Sequence, residues 1–248
     1  MDGGLDIMQG VDREEGIASE PKVYSSSYSG NDSGSARGGQ SWIDEETLRV
    51  IQQIFLLQTQ DPPKVVVFAG IDPGNGCSCV CASVAEVLAQ NARRPVCLVD
   101  ANFRSPVLSD MFGTSDHQGL TDALLTTGPI SSFAKPVDRR NLWLLSSGAL
   151  AIDSPNLFSA DNLSERLGEL REQFDFVLID APPLSRYSDA LVLGQHSEGV
   201  VLVLEADSTR REAASVAVTD LRAAGVSILA AVLNKRTYPI PAKLYKWL

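Results

Sequence analysis

The chain has 248 residues, of which 44% are hydrophobic and 21% are charged, a composition typical of a globular protein with a buried core. Acidic residues outnumber basic residues by 31 to 21, and the resulting net charge of −10 argues against a partner held by non-specific attraction, such as nucleic acid or anionic lipid. No apolar run approaches the roughly 18 residues of a membrane-spanning helix, and the N-terminus lacks the pattern of a secretory signal, so we expect a cytoplasmic protein.

The first part of the chain divides into a polar tail and a helix. Residues 1–41 contain eight Gly and eight Ser and have no periodicity that could support a buried face, which predicts a disordered Gly/Ser-rich tail. Between residues 44 and 58, Leu48, Ile51 and Phe55 recur at helical spacing behind an acidic first turn. This pattern predicts an amphipathic helix.

The stretch 65–79 runs from an apolar strand through a glycine-bearing turn into a helix that is predicted to end near residue 91. It is similar to a phosphate-binding loop, in which backbone N–H groups hold phosphate oxygens, a lysine neutralises the outer phosphates and a hydroxyl binds magnesium. Gly76 and Ser78 match the motif, but Cys77 stands at the position of the lysine.

The remaining elements alternate between apolar strands and amphipathic helices. The strands are predicted at 95–100, 142–145, 174–180, 199–204 and 228–234, and the helices at 119–127, 160–173 and 210–224. This alternation predicts a mostly parallel sheet with helices on both faces. Asp100 and Asp180 end two of the strands, at the edge where such sheets bind ligands, although a lone Asp at a strand end is more often a cap or turn former.

These stretches together resemble the bacterial tyrosine autokinases of capsule and exopolysaccharide synthesis, within the partition-type P-loop ATPases. The resemblance runs from about residue 44 to residue 236 and includes the loop, 99–106, 119–122, 148–156, 177–183, 189–190, 199–200, 209–210 and 232–234. It implies an α/β, P-loop NTPase-like domain over 42–236, between the tail at 1–41 and a C-terminal tail at 237–248.

The resemblance also implies a site for ATP and Mg²⁺. The residues that it assigns are Gly74, Asn75, Gly76, Cys77, Ser78 and Asn234 for nucleotide binding, Ser78 and Asp180 for the metal, and Asp100 and Asp180 as catalytic acids.

The predicted first helix resembles the ring-forming motif of the family, Glu-x-x-Arg-x-x-Arg. Glu46 and Arg49 match this motif, whereas Gln52 departs from it. The resemblance implies a homo-oligomer, and the alternative is a packing helix with solvated charges.

The departures from the family concentrate where activity is expected. Cys77 replaces the lysine, Asn102 replaces a second aspartate, and Tyr238 and Tyr245 stand where a tyrosine cluster is expected. Loss of the charged contact at Cys77 should cost about 1.5–3 kcal/mol of phosphate binding. The sequence therefore favours a degenerate kinase-like protein that acts as a regulatory or assembly subunit of exopolysaccharide or capsule biosynthesis. A membrane chain-length or polysaccharide co-polymerase protein would recruit it to the inner face of the membrane.

Three alternatives stay open. The first is an active ATP-dependent tyrosine autokinase that phosphorylates Tyr238, Tyr245 or an exogenous tyrosine. The second is a partition- or septum-type ATPase, which the acidic composition disfavours. In the third, Cys77 is itself functional as a redox thiol, because a thiol at a helix N-terminus can have a lowered pKa, and Cys81 lies one turn further along.

Overall fold

The computed structural model describes residues 23–25, 51–56, 62–114, 118–137, 141–148 and 160–235. Within these ranges, eight strands form one sheet with the order β1-β8-β7-β2-β6-β3-β5-β4. The strands are β1 (Val23–Ser25), β2 (Val65–Gly70), β3 (Val96–Asp100), β4 (Lys135–Pro136), β5 (Leu142–Leu145), β6 (Phe176–Ala181), β7 (Gly199–Glu205) and β8 (Ile228–Asn234). Every neighbouring pair is parallel except β4 and β5. The mostly parallel sheet predicted from the sequence is confirmed.

Helices connect the strands and cover the sheet. They are α1 (Cys77–Asn91), α2 (Leu108–Phe112), α3 (Leu120–Leu125), α4 (Ala160–Gln173), α5 (Asp189–Gln195) and α6 (Arg211–Ala223), with a 3-10 turn at Ile130–Ser132 and a π-helical turn at Gln52–Leu56. Among the described residues, no helix has both the length and the apolar character needed to cross a membrane.

The hydrophobic core has two layers because successive strand residues point to opposite faces of the sheet. In β2, Val65, Val67 and Ala69 pack in one layer, while Val66 and Phe68 pack in the other. The first layer buries the apolar sides of α3, α4, α5 and α6, and the second buries α1 together with the π-helical turn. Helices therefore lie on both faces, and the ends of the parallel strands are left to build a site.

The N-terminal segment differs from the sequence prediction. Val23–Ser25 belongs to the stretch predicted as a disordered tail, yet it forms β1 and pairs in parallel with Ala231–Leu233 of β8. The prediction is wrong for these three residues. A three-residue strand is too short to show alternation in its sequence. The outer edge of β8 offers backbone N–H and C=O groups that pair with those of β1.

Other predictions near the termini are only partly covered by the structure. Of the predicted first helix, the described part 51–56 is helical, and Ile51, Ile54 and Phe55 are buried as the pattern indicates. Gln52 is exposed. Glu46, Arg49 and the C-terminal tail with Tyr238 and Tyr245 lie outside the described residues, so the ring-forming helix stays a prediction.

Candidate functional site

The loop between β2 and α1 has the backbone of a tight glycine turn. Gly74 and Gly76 adopt left-handed φ values of 85° and 84°, which glycine reaches without strain. A Cβ atom on Gly76 would also stand 2.4 Å from Nδ2 of Asn234, so the close approach of β8 requires glycine here.

The side chain of Asn75 points into the protein beneath the loop. Its side chain is 3% exposed, Nδ2 donates to the carbonyl of Val203 at 2.7 Å, and Oδ1 accepts from the backbone N–H of Cys77 at 3.3 Å. A Cβ on Gly70 would lie 2.3 Å from Asn75 Nδ2, so glycine at position 70 makes room for this side chain. Asn75 lines the cavity beside the loop, but its side chain bonds to the protein itself.

Asn234, which the resemblance places near an adenine, is fully buried at the end of β8. Its Nδ2 donates to the backbone carbonyl of Asn75 at 2.8 Å. In this structure Asn234 therefore ties the last strand to the phosphate-binding loop.

The two strand-end aspartates meet beside the loop. Asp100 and Asp180 are register partners on the neighbouring strands β3 and β6, and both are fully buried. Asp100 accepts the backbone N–H of Asn102 at 3.1 Å and that of Leu108 at 3.2 Å, so it holds the turn after β3 and the start of α2.

Asp180 is less well satisfied than Asp100. Both of its carboxylate oxygens are buried, and among the described residues the hydroxyl of Ser78 and the thiol of Cys77 lie beside them without regular hydrogen-bond geometry. Burial raises its pKa to about 7, the nearby hydroxyl of Ser78 and thiol of Cys77 act to lower it, and the carboxylate of Asp100 raises it. A buried carboxylate of this kind favours an additional positive group close by.

Mg²⁺ fits these residues. The described residues contain no cluster of three or more His, Cys, Asp or Glu side chains that would hold a metal alone. Magnesium at a phosphate site takes few protein ligands and keeps waters and phosphate oxygens, so a hydroxyl and an adjacent carboxylate suffice. Ser78 and the buried Asp180 form such a pair.

The thiol of Cys77 is held in its neutral form. Burial is the main cause that raises its pKa well above the ordinary value, and the charge of Asp180 raises it further. A raised pKa does not favour the interpretation of Cys77 as a low-pKa redox thiol. The pKa of Cys81 is also raised, chiefly by burial, and this residue packs in the core as the pattern of α1 indicates.

Three cations that sequence reasoning did not assign lie around the loop. Arg104 follows β3 and Arg186 follows β6, and both line a cavity of about 370 Å³ together with residues of the loop. Lys235 lies against the loop: Nζ donates to the carbonyl of Gly74 at 2.5 Å and pairs with Glu205 at 3.3 Å. Arg104 belongs to a stretch that resembles the family, whereas no sequence signal distinguishes Arg186.

This parallel sheet, with a glycine loop between β2 and α1 and two buried strand-end aspartates beside it, defines a P-loop NTPase-like protein. Comparison with known proteins identifies the family. Tyrosine-protein kinase YwqD of Bacillus subtilis (strain 168) is 30% identical over 171 residues, which cover 69% of this chain and 72% of YwqD. The chain belongs to the bacterial tyrosine-protein kinase family.

Two further relatives agree with this result. Tyrosine-protein kinase wzc of Salmonella typhimurium is 27% identical over 188 residues, covering 76% of this chain but only 26% of wzc. The chain thus spans about a quarter of the length of that relative. The kinase domain of VpsO superposes with a TM-score of 0.69 at 27% identity, covering 77% of this chain and 96% of that domain. A scan against protein-family models finds no match.

Proposed function

We propose that this protein is a degenerate member of the tyrosine-kinase family, with impaired nucleotide binding and slow or absent phosphoryl transfer. It acts as a cytoplasmic regulatory or assembly subunit in exopolysaccharide or capsule biosynthesis. The observation that carries the proposal is Cys77, a side chain that cannot carry a positive charge, at the position where the motif has a lysine.

The electrostatics of the loop support impaired nucleotide binding and impaired phosphoryl transfer. Phosphoryl transfer needs positive charge where negative charge develops in the transition state. At this loop, the lysine is replaced by a protonated thiol, and the nearest buried charges are the carboxylates of Asp100 and Asp180. The loss should weaken nucleotide binding by about 1.5–3 kcal/mol, or roughly ten- to 150-fold, and slow transfer further.

The rest of the site supports residual binding. The left-handed glycines keep the shape of the loop, and Ser78 and Asp180 are arranged for a Mg²⁺ ion. Such an ion would supply charge that bridges phosphate oxygens. A scaffold of this kind suits weak nucleotide binding without efficient turnover.

The role as a subunit rests on the comparisons. The chain aligns with about a quarter of wzc and with 72% of YwqD, and both relatives are tyrosine-protein kinases. We propose that a membrane chain-length or polysaccharide co-polymerase protein recruits this chain to the inner face of the membrane. Glu46, Arg49 and Gln52 are proposed to contribute to a homo-oligomer.

An active ATP-dependent tyrosine autokinase is the second candidate. Arg104 and Arg186 favour it, since they bring positive charge into the cavity beside the loop.

The test is titration of the full chain with MgATP, for the wild type, Cys77→Lys and Cys77→Ser. We expect weak binding by the wild type, binding at least about tenfold tighter by Cys77→Lys, and no gain for Cys77→Ser, which stays neutral and similar in size. Tight wild-type binding accompanied by tyrosine phosphorylation would overturn the proposal in favour of the active kinase.

A further inference from the structure

We infer that Arg104 and Arg186 form a guanidinium clamp for the terminal phosphates of a nucleoside polyphosphate, and supply from the turns after β3 and β6 the positive charge that the loop lacks at Cys77. The inference rests on the proposed function, because it explains how a loop without its lysine retains residual nucleotide binding. It gives a phosphate-binding role to two residues outside the phosphate-binding loop, of which Arg104 lies in a stretch that resembles the family and Arg186 has no such signal.

Arg186 is attached to the loop through the backbone. Its two preceding residues, Leu184 and Ser185, donate their N–H groups to the carbonyls of Gly70 and Ile71 at 2.9 and 3.0 Å. The backbone N–H of Arg186 then donates to Pro183 at 3.2 Å and closes a turn. The backbone of Arg186 is therefore fixed relative to the phosphate-binding loop. Its side chain is exposed and lines the cavity.

Arg104 is oriented from the other side. Its guanidinium carbon lies 4.9 Å from the centre of the Tyr187 ring, a cation–π distance. The turn that carries Arg104 is closed by the N–H of Ser105, which donates to the carbonyl of Asn102 at 3.1 Å. Tyr187 follows Arg186 directly in the chain, and Arg104, Arg186 and Tyr187 all line the same cavity.

Neither guanidinium has a carboxylate within 4.0 Å among the described residues, although the chain has a net charge of −10. Lys235, by contrast, is engaged with Glu205 and with the carbonyl of Gly74. Two exposed arginines that have no acidic partner within the described part of the chain line one cavity beside a phosphate-type loop, and their charge is available for an anion. Guanidinium groups bind phosphate oxygens in a bidentate manner, which suits the end of a polyphosphate chain.

The experiment is calorimetric titration of the full chain with MgATP and, separately, with inorganic tripolyphosphate. Arg104→Gln and Arg186→Gln should each weaken binding about tenfold, and the double variant about a hundredfold. Arg93→Gln, which removes an exposed arginine just before β3 and away from the cavity, is the matched control and should change affinity less than about twofold. Loss of affinity for both ligands would locate the effect at the phosphates, whereas loss for ATP alone would contradict a phosphate clamp.

Tyr187 provides a second set of variants that keeps both charges. Tyr187→Phe retains the ring under Arg104 and should bind as the wild type does, while Tyr187→Leu removes the ring and should weaken binding severalfold. Arg104→Lys keeps the positive charge and should recover part of the affinity lost in Arg104→Gln. The urea unfolding midpoint of each variant establishes that it is folded.

The outcomes separate this inference from the proposed function. If the wild type binds and both arginine variants bind equally well, the clamp is wrong and the proposed function stands. If only Cys77→Lys binds, the site is impaired as proposed, and the arginines do not replace the lysine. If neither the wild type nor Cys77→Lys binds nucleotide, both the clamp and the retained nucleotide site are wrong.

Discussion

Cys77 and Asp180 share one buried environment at the carboxyl edge of the sheet. The carboxylate raises the pKa of the thiol, and burial raises the pKa of both groups. A lysine at position 77 would instead offer its ammonium group to the phosphates and lie near the carboxylate. The single replacement therefore changes the protonation of its neighbour as well as the charge of the loop.

Asp180 should make the stability of the protein depend on pH. Its folded-state pKa of about 7 exceeds the ordinary value of 3.8, so the folded protein binds the proton more tightly and stability falls as pH rises from about 4 to 7. The fall is up to about 4 kcal/mol and levels off above pH 7. Asp180→Asn cannot titrate and should gain stability relative to the wild type between pH 5 and pH 8, measured by urea unfolding.

The control for this comparison is Asp220→Asn, which changes an exposed carboxylate on α6. Urea unfolding of this variant over the same pH range gives the reference for the loss of an exposed carboxylate. A free-energy difference between Asp180→Asn and the wild type that stays constant with pH would show that Asp180 is ionised in the folded protein at pH 5.

The thiols should react slowly despite the position of Cys77 at a helix start. Burial raises the pKa values of Cys77, Cys79 and Cys81, and the thiolate is the reactive form. With a thiol reagent at pH 7.5, Cys77 and Cys79 should be modified at least about tenfold more slowly than in urea-unfolded protein, as followed by mass spectrometry. Modification of Cys77 faster than in the unfolded chain would restore the redox interpretation.

At the scale of single residues, sequence reasoning located the groups that belong to a motif. Cys77, Asp100 and Asp180 follow directly from the pattern of strands and loop. The roles of Asn75 and Arg186 do not, because they depend on contacts with β7 and with the start of the loop, which are distant along the chain. Contacts between residues so far apart along the chain produce no pattern in the local sequence.

The phosphate-binding loop is organised as one element around the contact between Gly70 and Asn75. Gly70→Ala should destabilise the protein by about 1–3 kcal/mol, since the added methyl group would meet the amide of Asn75 at 2.3 Å. Asn75→Ala should cost about 0.5–1.5 kcal/mol, because its buried hydrogen bond to the carbonyl of Val203 is lost, while that carbonyl keeps the N–H of Ile71 at 3.2 Å. The double variant should cost less than the sum by at least about 1 kcal/mol, since the clashing atoms are gone.

Urea unfolding of the wild type, the two single variants and the double variant measures the coupling free energy between positions 70 and 75. Gly168→Ala on α4 is the matched control, because a Cβ there meets nothing within 4 Å and alanine favours the helix. Strict additivity of Gly70→Ala and Asn75→Ala would mean that the loop relaxes elsewhere and does not depend on this contact.

Among the larger elements, sequence periodicity predicted α1, α4 and α6 to within a residue or so of their observed ends. It did not find β1 or β4, which have three and two residues and are too short to show a period. The short helices α2 and α5 were also not predicted as helices. The start of α2 depends on the carboxylate of Asp100, a contact made across the turn after β3.

For the whole molecule, β1 should protect the edge strand next to it. A chain lacking residues 1–25 loses the backbone partners of Ala231–Leu233, whereas a chain lacking residues 1–22 keeps them. We expect faster hydrogen exchange in β8 and lower stability in the longer deletion. Equal exchange in the two proteins would show that β1 contributes nothing to the sheet.

The pairing of β1 with β8 also has a consequence for synthesis on the ribosome. Val23 is made long before its partner Ala231, which lies in β8, the last strand of the sheet along the described chain. Contacts so far apart along a chain are slow to form, and an unpaired strand is open to incorrect association while the rest of a domain folds. The sheet is therefore completed only after translation has passed β8, and the same late strand carries Asn234 to the phosphate-binding loop. The loop cannot acquire this support from Asn234 before β8 has been synthesised.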